Sequence, residues 1–371
     1  MALANKIDAR RAEGDLAAWL GRRLPGATDV TVSGVHVPSA SGLSTETVLF
    51  DAAWTEDGTR REQGMVARVQ PAEAGVFRSY DLAKEARVMG ALADHTSVPA
   101  PKVLFYEDSP EVFGSPFLVM ECIAGRIPSD DPPFTVAGWV VEELDPGRRR
   151  AMWHHSLDVL AGVHAADWQA LGLDFLDTPE NGSGLSAQLA QWESVFEWAA
   201  EGEPNPTVEA ALRWLRDNQP ADAGEKVLNW GDARVGNLIF ADDLTVAGVL
   251  DWEMVALAPR EVELGWWLFL NRHHTEGIGA PLPEGIPDRA ETIAHYEKIT
   301  GVELKDIDYY EVFAGTRLAI IMVRAAHMMI AAGLLPPEAP MALNNPASQL
   351  VAKLLDLPAP TGQAVSFIGN R

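Results

Sequence analysis

The sequence predicts an α+β fold in which a small, strand-rich N-terminal part precedes a larger, mainly helical C-terminal part. Over roughly the first 125 residues, alternating apolar and polar runs are separated by Ser/Gly-rich and Asp-Gly turns, as in antiparallel strands. From about residue 128, apolar residues instead recur every three or four positions, as in amphipathic helices. With 47% hydrophobic and 22% charged residues, the composition excludes bulk disorder. We therefore expect two lobes, residues 1–122 and residues 123–371.

The N-terminal elements follow from these local patterns. A helix is predicted over residues 1–24, strands over 30–37, 47–54 and 65–70, a helix over 79–93, and strands over 102–106 and 117–122. The helix at 79–93 carries Leu82, Ala86, Met89 and Ala93 on one face, at spacings of three and four residues. The expected arrangement is a five-stranded antiparallel sheet with one packed helix.

The C-terminal part is predicted to contain seven helices and one mixed segment. The helices cover residues 148–166, 185–200, 207–218, 261–272, 290–300, 308–332 and 346–355. The mixed segment, residues 226–252, has strand-like runs at 238–240 and 246–250. The most apolar stretch, residues 318–335, is interrupted by Arg324 and His327 and is shorter than the ~20 residues that span a bilayer. We interpret it as a buried helix.

Charge and cysteine content narrow the possible partners and location. The chain has 29 Lys and Arg against 53 Asp and Glu, a formal charge of −24, which repels nucleic acid and anionic membranes. We expect neither as a partner, and the charge slightly favours a cationic substrate. Cys122 is the only cysteine, which excludes an internal disulfide and any multi-cysteine metal site. The single cysteine and an N-terminus that lacks a signal peptide's apolar run together indicate a cytoplasmic protein.

The densest group of chemically capable residues lies at 229–237, which reads Asn-Trp-Gly-Asp-Ala-Arg-Val-Gly-Asn. Phosphoryl transfer needs a carboxylate to orient or deprotonate the attacking hydroxyl, and oxygen ligands for Mg²⁺. Asp232 suits the first task, and Asn237 with Asp251, fourteen residues later, suits the second. The five-residue offset from Asp232 to Asn237 matches the kinase catalytic-loop pattern. Arg234 could hold the transferred phosphate, although the same residues would also suit two ordinary turns.

The N-terminal part offers a second set of phosphate-binding residues. Arg68 lies on the predicted strand 65–70, and Glu85 lies on the helix that follows, so the two could form an ion pair that positions a phosphate-binding cation. We expect Arg68 at a cleft and not in a core; the alternative is that both charges are simply solvated. The Ser/Gly-rich loop at 38–45 could cradle phosphates with backbone N–H and hydroxyl groups, or could be an ordinary hairpin connection.

Taken in order along the chain, these segments resemble the aminoglycoside-phosphotransferase-like family, which has the protein-kinase-like bilobal fold. The similarity is greatest to the branch that contains the kinase-like part of acyl-CoA dehydrogenase fusion proteins. The resemblance implies ATP and Mg²⁺ as cofactors, with Asp232 as the catalytic base and with Asn237 and Asp251 as metal ligands. It also implies a nucleotide site with three parts. The phosphate loop contains Ser41, Gly42, Ser44 and Thr45, and Arg68 is the phosphate-binding cation with Glu85 as its partner. The linker against which adenine lies contains Glu121, Cys122 and Ile123.

The sequence departs from the family pattern at three positions. Trp230 stands where His usually precedes Gly-Asp, which puts the packing of the loop in question. Arg68 replaces the usual Lys, as in the acyl-CoA-associated branch, and keeps the charge with a different donor geometry. Glu263 stands where an Asp usually braces the catalytic loop.

The expected function is an ATP-dependent, Mg²⁺-assisted phosphotransferase that acts on a hydroxyl group of a small molecule. The acceptor could be a hydroxyacyl-CoA, an aminoglycoside or a macrolide. The alternative is a non-catalytic nucleotide-binding module that recruits a partner, which fits less well because Asp232, Asn237 and Asp251 are all present.

Several other residues receive structural interpretations. The histidines at 154, 155 and 164 are expected in the core or on the surface, since no metal-ligand spacing accompanies them. Trp266, Trp267 and Phe269 are expected in the core. The acidic stretch 130–145 is expected to be a solvated loop, and the alternative is that it borders the acceptor cleft. His273 and His274 follow a helix and could face a substrate.

Overall fold

The computed structural model describes residues 7–38 and 45–365, which form two compact units. The first unit comprises Met1–Asp94 and Ala100–Ile123, and the second comprises His95–Pro99 and Ala124–Arg371. The second unit thus begins one residue later than the sequence predicts, and it also includes the short segment His95–Pro99. That segment belongs there because the carbonyl of Pro99 accepts a hydrogen bond from the N–H of Val249, at 2.9 Å.

The first unit is built on a five-stranded antiparallel sheet, as predicted. Its strands are β1 (Thr28–His36), β2 (Glu46–Glu56), β3 (Thr59–Val69), β4 (Val103–Glu107) and β5 (Phe117–Glu121), in the spatial order β1-β2-β3-β5-β4. Asp57 and Gly58 join β2 to β3, and both have positive φ, 49° and 72°. Two such residues match the right-handed twist of a tight hairpin.

Two helices accompany this sheet, α1 (Ala9–Arg23) and α2 (Leu82–His95). The sequence predicts one packed helix, but α1 also contributes to the core through Leu16, Trp19 and Leu20, all at most 2% exposed. The indole N–H of Trp19 donates to the Glu107 carboxylate at 2.8 Å, which satisfies a polar group that enters the core with the ring.

The second unit is mainly helical, as predicted. Its helices are α3 (Trp139–Glu142), α4 (Pro146–His164), α5 (Leu185–Ala199), α6 (Pro206–Asp217), α7 (Arg260–His273), α8 (Arg289–Thr300), α9 (Ile307–Ala331) and α10 (Pro346–Leu354). Two small antiparallel sheets pair β6 (Lys226–Asn229) with β9 (Ala256–Pro259), and β7 (Leu238–Phe240) with β8 (Val246–Val249). The short elements α3, β6 and β9, each four residues long, are not among the sequence predictions.

Helix α7 packs closely against α9 at two glycines. A Cβ on Gly265 would lie 2.5 Å from the backbone of Tyr310, and one on Gly315 would lie 2.5 Å from the Phe269 ring. Within the described ranges, α9 is the one helix long and apolar enough to cross a membrane, with a mean hydropathy of 1.3. Of that apolar window, 67% is buried, which agrees with the predicted buried helix.

Candidate active site

The segment between β6 and β7 forms a tight loop whose shape depends on one glycine. Gly231 has φ +100°, and a Cβ there would lie 2.1 Å from the carbonyl oxygen of Met254. Both the left-handed backbone and the close approach exclude other residues. A single 3₁₀ turn, Val235–Asn237, then leads into β7. The turn interpretation of these residues is therefore correct for the backbone, and the side chains decide the chemistry.

The carboxylate of Asp232 is held by three donors. Its Oδ1 accepts a hydrogen bond from the indole N–H of Trp266 at 2.8 Å. Its Oδ2 accepts from Nδ2 of Asn237 at 2.8 Å and from Nε of Arg234 at 3.0 Å. The side chain remains 15% exposed. The structure thus brings together the three residues that the motif singled out and fixes the orientation of the carboxylate.

Arg234 bridges two carboxylates. Besides Asp232, its guanidinium contacts Asp130 through Nη1. Although burial opposes it, the charges of Asp130 and Asp232 raise the pKa of Arg234 above its ordinary value. The Arg234 charge in turn lowers the pKa of Asp130 against the effect of burial. The expectation that residues 130–145 form only a solvated loop is wrong for Asp130, because its carboxylate compensates a cation 104 residues away.

Glu263, in the first turn of α7, braces the loop from behind. Its carboxylate accepts hydrogen bonds from the N–H of Trp230 at 2.9 Å and from the N–H of Gly231. Nε2 of His164 lies 2.9 Å from the same carboxylate, and Nδ1 lies 2.7 Å from the Tyr296 hydroxyl. The bracing acid implied by the resemblance is confirmed, and Glu serves in place of Asp. His164 is a core residue, as expected.

Trp230 links the loop that carries Asp232 to the segment that carries Asp251. Its indole N–H is shared between the carbonyls of Leu250, at 2.7 Å, and Asp251, at 3.1 Å. The N–H of Leu250 also donates to the carbonyl of Asn237 at 2.9 Å. The replacement of His by Trp therefore supplies a packed, hydrogen-bonded connection, which answers the question that it raised. Asp251 has φ 68°, a left-handed conformation that Asp tolerates better than most residues.

Asn237 and Asp251 suit a magnesium ion in chemistry and number. One amide oxygen and one carboxylate are hard ligands, and Mg²⁺ commonly takes one or two carboxylates from the protein and completes its shell with phosphates and water. Within residues 7–38 and 45–365, no three His, Cys, Asp or Glu side chains cluster as a metal site. An ion held here would therefore depend on oxygens from a nucleotide and from water.

The model of the phosphotransferase enzyme family matches residues 40–301, about 71% of the sequence. The chain belongs to this family. Two curated relatives of this chain are larger proteins named as acyl-CoA dehydrogenases. The Arabidopsis thaliana protein IBR3 is 30% identical over 64% of the chain and 29% of its own length. Acyl-CoA dehydrogenase family member 11 of Rattus norvegicus is 28% identical over 76% of the chain and 35% of its own length. The chain thus spans about a third of the length of these relatives.

Solved structures agree with the phosphotransferase fold. A Ralstonia eutropha protein classed as a candidate aminoglycoside phosphotransferase superposes with a TM-score of 0.66, at 24% identity, over 92% of this chain and 95% of its own. An aminoglycoside phosphotransferase in complex with GDP and kanamycin superposes with a TM-score of 0.54, at 13% identity, over 82% and 89% of the two chains. At these identities the likeness establishes the fold, and the predicted α+β, protein-kinase-like class is confirmed.

The contact between Trp266 and Asp232 is not among the sequence predictions. Trp266 was interpreted as a core residue, and it is 2% exposed, but its N–H binds the carboxylate. A signal was available: Trp266 lies three residues after Glu263 on α7, so both side chains point to the same face of the helix. Because Glu263 braces the loop, a side chain three residues later on the same helix faces that loop too.

In the first unit, Arg68 and Glu85 form the predicted ion pair. Nη2 of Arg68 lies 3.6 Å from Oε2 of Glu85. Their side chains are 8% and 1% exposed, so the alternative of solvated charges is wrong, and the cleft position of Arg68 stays a prediction. On β3, Arg68 pairs with Thr47 of β2 and with Leu118 of β5, so its backbone lies inside the sheet and not at an edge.

The remaining predicted nucleotide contacts are placed only in part. Ser41, Gly42 and Ser44 lie outside the described residues. Thr45 is buried just before β2, and Glu121 ends β5 with its carboxylate accepting from the N–H of Lys102 at 3.1 Å. The N–H of Cys122 donates to the carbonyl of Gly64 at 3.0 Å, and Ile123 is half-buried. Their contacts with a nucleotide stay a prediction.

His273 and His274, at the end of α7, are buried close to Asp130, at 2% and 5% exposure. Burial, with the neighbouring His274, lowers the pKa of His273 to about 3. Burial also lowers the pKa of His274, while the charge of Asp130 acts in the opposite direction on both rings. Both histidines are therefore neutral at physiological pH, and both feel the charge of Asp130.

Proposed function

We propose that the chain is an ATP-dependent, Mg²⁺-assisted phosphotransferase that acts on a hydroxyl group of a small molecule. The observation that carries the proposal is the Asp232 carboxylate, held by Trp266, Asn237 and Arg234 and still partly exposed. A phosphoryl transfer site requires a positioned carboxylate beside a cation and oxygen ligands. Membership of the phosphotransferase family supports the same reaction class.

In the proposed reaction, Asp232 accepts a hydrogen bond from the acceptor hydroxyl and directs its oxygen at the γ-phosphorus. The new oxygen–phosphorus bond forms as the bond between the γ-phosphorus and its bridging oxygen breaks; the nucleoside diphosphate departs, and the hydroxyl proton passes to Asp232. Arg234 stabilises negative charge on the transferred group. Mg²⁺ bound by Asn237 and Asp251 would neutralise charge on the phosphates.

The proposed nucleotide contacts belong to the first unit. Arg68, oriented by Glu85, would donate to the α- and β-phosphates, because a guanidinium presents a fork of donors that suits phosphate oxygens. Residues 41, 42, 44 and 45 would supply further donors, and residues 121–123 would border the base. Since one structural neighbour was solved with GDP, both ATP and GTP should be tested.

The acceptor we propose to test first is a hydroxyacyl-CoA, because both curated relatives are named as acyl-CoA dehydrogenases. Aminoglycosides and macrolides come second. The formal charge of −24 favours a cationic acceptor over an anionic thioester, so the panel must contain both classes.

A substrate panel with Asp232→Ala as the negative control tests the proposal. Purified protein is incubated with Mg²⁺ and either [γ-³²P]ATP or [γ-³²P]GTP, and product is detected by thin-layer chromatography and mass spectrometry. We expect acceptor-dependent transfer that Asp232→Ala abolishes and that EDTA prevents. If nucleotide affinity does not depend on Mg²⁺ and no acceptor is phosphorylated, the result would instead support the non-catalytic nucleotide-binding module.

A further inference from the structure

A fully buried cation lies directly behind the catalytic loop. Arg317, on α9, is 3% exposed, and its Nη2 donates to the carbonyl of Gly231 at 3.2 Å. Its guanidinium carbon lies 4.5 Å from the centre of the Trp266 ring and 5.1 Å from that of Trp192. The Phe313 ring, at 5.7 Å, completes an aromatic enclosure. Such faces attract a guanidinium, most strongly where water is excluded.

Both contacts of Arg317 lead to the catalytic carboxylate. Gly231 immediately precedes Asp232; its N–H binds Glu263 and its carbonyl binds Arg317, so buried charged groups hold it on both sides. The Trp266 ring against which Arg317 lies is the same ring whose N–H binds Oδ1 of Asp232. Arg317 therefore touches the backbone before Asp232 and the side chain that orients it.

The charge of Arg317 is costly to bury. Burial lowers the pKa of Arg317 to about 10, against the effect of the negative charges of Asp232 and Glu263, so the guanidinium stays protonated at neutral pH. An apolar side chain of similar volume would fill the same space without this desolvation cost. It would not donate to the Gly231 carbonyl or attract the face of Trp266. What only the arginine provides is the pair of contacts that leads to Asp232.

We propose that Arg317 is a positioning residue of this site, which keeps Asp232 in its reactive orientation by fixing the Gly231 carbonyl and the Trp266 ring. The effect on turnover rests on the proposed phosphotransferase function. The effect on the Trp266 hydrogen bond does not, and it can be measured without nucleotide or acceptor.

The chain contains a matched control on the same helix. Arg324, seven residues after Arg317, lies 4.4 Å from the Trp198 ring and pairs with Glu201 at 2.7 Å. Trp192 and Trp198 both belong to α5, so each arginine joins α9 to an α5 tryptophan. Arg317 in addition donates to the Gly231 carbonyl. Arg324→Met removes a comparable cation–aromatic contact and leaves Gly231 and Trp266 untouched.

Kinetics separate positioning from stability. We expect Arg317→Met to lower kcat by about 10- to 100-fold, the factor that corresponds to one lost hydrogen bond to a charged group, with the nucleotide KM nearly unchanged. Arg317→Lys should recover part of the loss, since it keeps the charge with fewer donors. Arg324→Met should keep the wild-type kcat. An unchanged kcat in folded Arg317→Met protein would overturn the proposal.

Indole NMR provides the second readout. With ¹⁵N-labelled tryptophan, twelve indole N–H resonances are expected, and Trp266→Phe identifies the one that binds Asp232. We expect this resonance to move in Arg317→Met and to stay in place in Arg324→Met. If Arg317→Met does not fold, Arg317→Lys provides the same comparison. A resonance that stays in place in the folded Arg317 variant refutes the positioning role. If wild-type protein transfers phosphate to no acceptor, the proposed function fails and this spectrum alone decides the role of Arg317.

Discussion

Replacing Asp232 by Asn separates the charge of this residue from its hydrogen bonds. The variant keeps the shape of the side chain but places an NH₂ group where one carboxylate oxygen accepts. Oδ1 faces one donor, the Trp266 indole, whereas Oδ2 faces two, on Arg234 and Asn237. The amide should therefore turn its oxygen towards the pair and its NH₂ towards Trp266. The result is a buried contact between two donors.

This contact sets the expected magnitudes. A buried donor left without an acceptor costs about 1–3 kcal/mol of unfolding free energy, so Asp232→Asn should be destabilised by that amount. The loss of the base should lower kcat by about 10²- to 10⁴-fold. The lower end is plausible because a loose phosphoryl-transfer transition state depends more on positioning than on basicity. Affinity for Mg·ATP should change little, because Asp232 is not assigned to the metal.

Trp266→Phe, added to Asp232→Asn, removes the opposing N–H and separates the two effects. Urea unfolding should show that the double variant regains part of the stability that Asp232→Asn loses, while its kcat stays low. If kcat recovers together with stability, the carboxylate is not needed for transfer and the loss came from distortion of the loop. Full turnover in Asp232→Asn itself would show that the proposed chemistry is wrong.

Three further predictions concern the metal, the first unit and pH. Asp251→Asn should weaken Mg²⁺-dependent nucleotide binding in calorimetry, because a hard cation loses an anionic ligand. If Asp251→Asn kept its nucleotide affinity and Asp232→Asn lost it, the roles of metal ligand and catalytic base would be reversed between the two residues. Arg68→Lys should raise the KM for ATP at least several-fold with a smaller change in stability, since it keeps the charge beside buried Glu85 but loses the donor fork; an unchanged KM would count against phosphate binding. For His273, whose pKa of about 3 lies below the unfolded value near 6.5, stability is lost as the pH falls between these values, because the unfolded chain binds the proton first. Between pH 7 and pH 5, the unfolding free energy of His273→Phe, measured with urea, should therefore fall by about 2 kcal/mol less than that of the wild type. An equal fall in both proteins would mean that the ring is not buried and neutral.

The sequence by itself determined the local elements and the spacing of the motif. Apart from α1, which begins at Ala9 where the sequence predicts a helix from residue 1, every helix of eight residues or more lies within a few residues of its predicted bounds. Four of the five strands of the first sheet do so too, and the sequence predicts only the second half of β3. These elements follow from periodicity and turn chemistry, which act over a few neighbouring residues. The five-residue spacing of Asp232 and Asn237 likewise suffices to bring their side chains within 2.8 Å across one turn.

Only the tertiary structure decided which distant residues complete the site. Trp266 contacts Asp232 across 34 residues, Arg317 contacts Gly231 across 86, and Asp130 contacts Arg234 across 104. Local pattern assigned these three to a core helix, a buried helix and a solvated loop, and those assignments contain no information about the partner. The alternation along β3 likewise places Arg68 on one face of a strand but does not say what covers that face. Pairings of this kind arise when helices and sheets pack, because packing brings together side chains whose separation along the chain leaves no periodic trace in a single sequence.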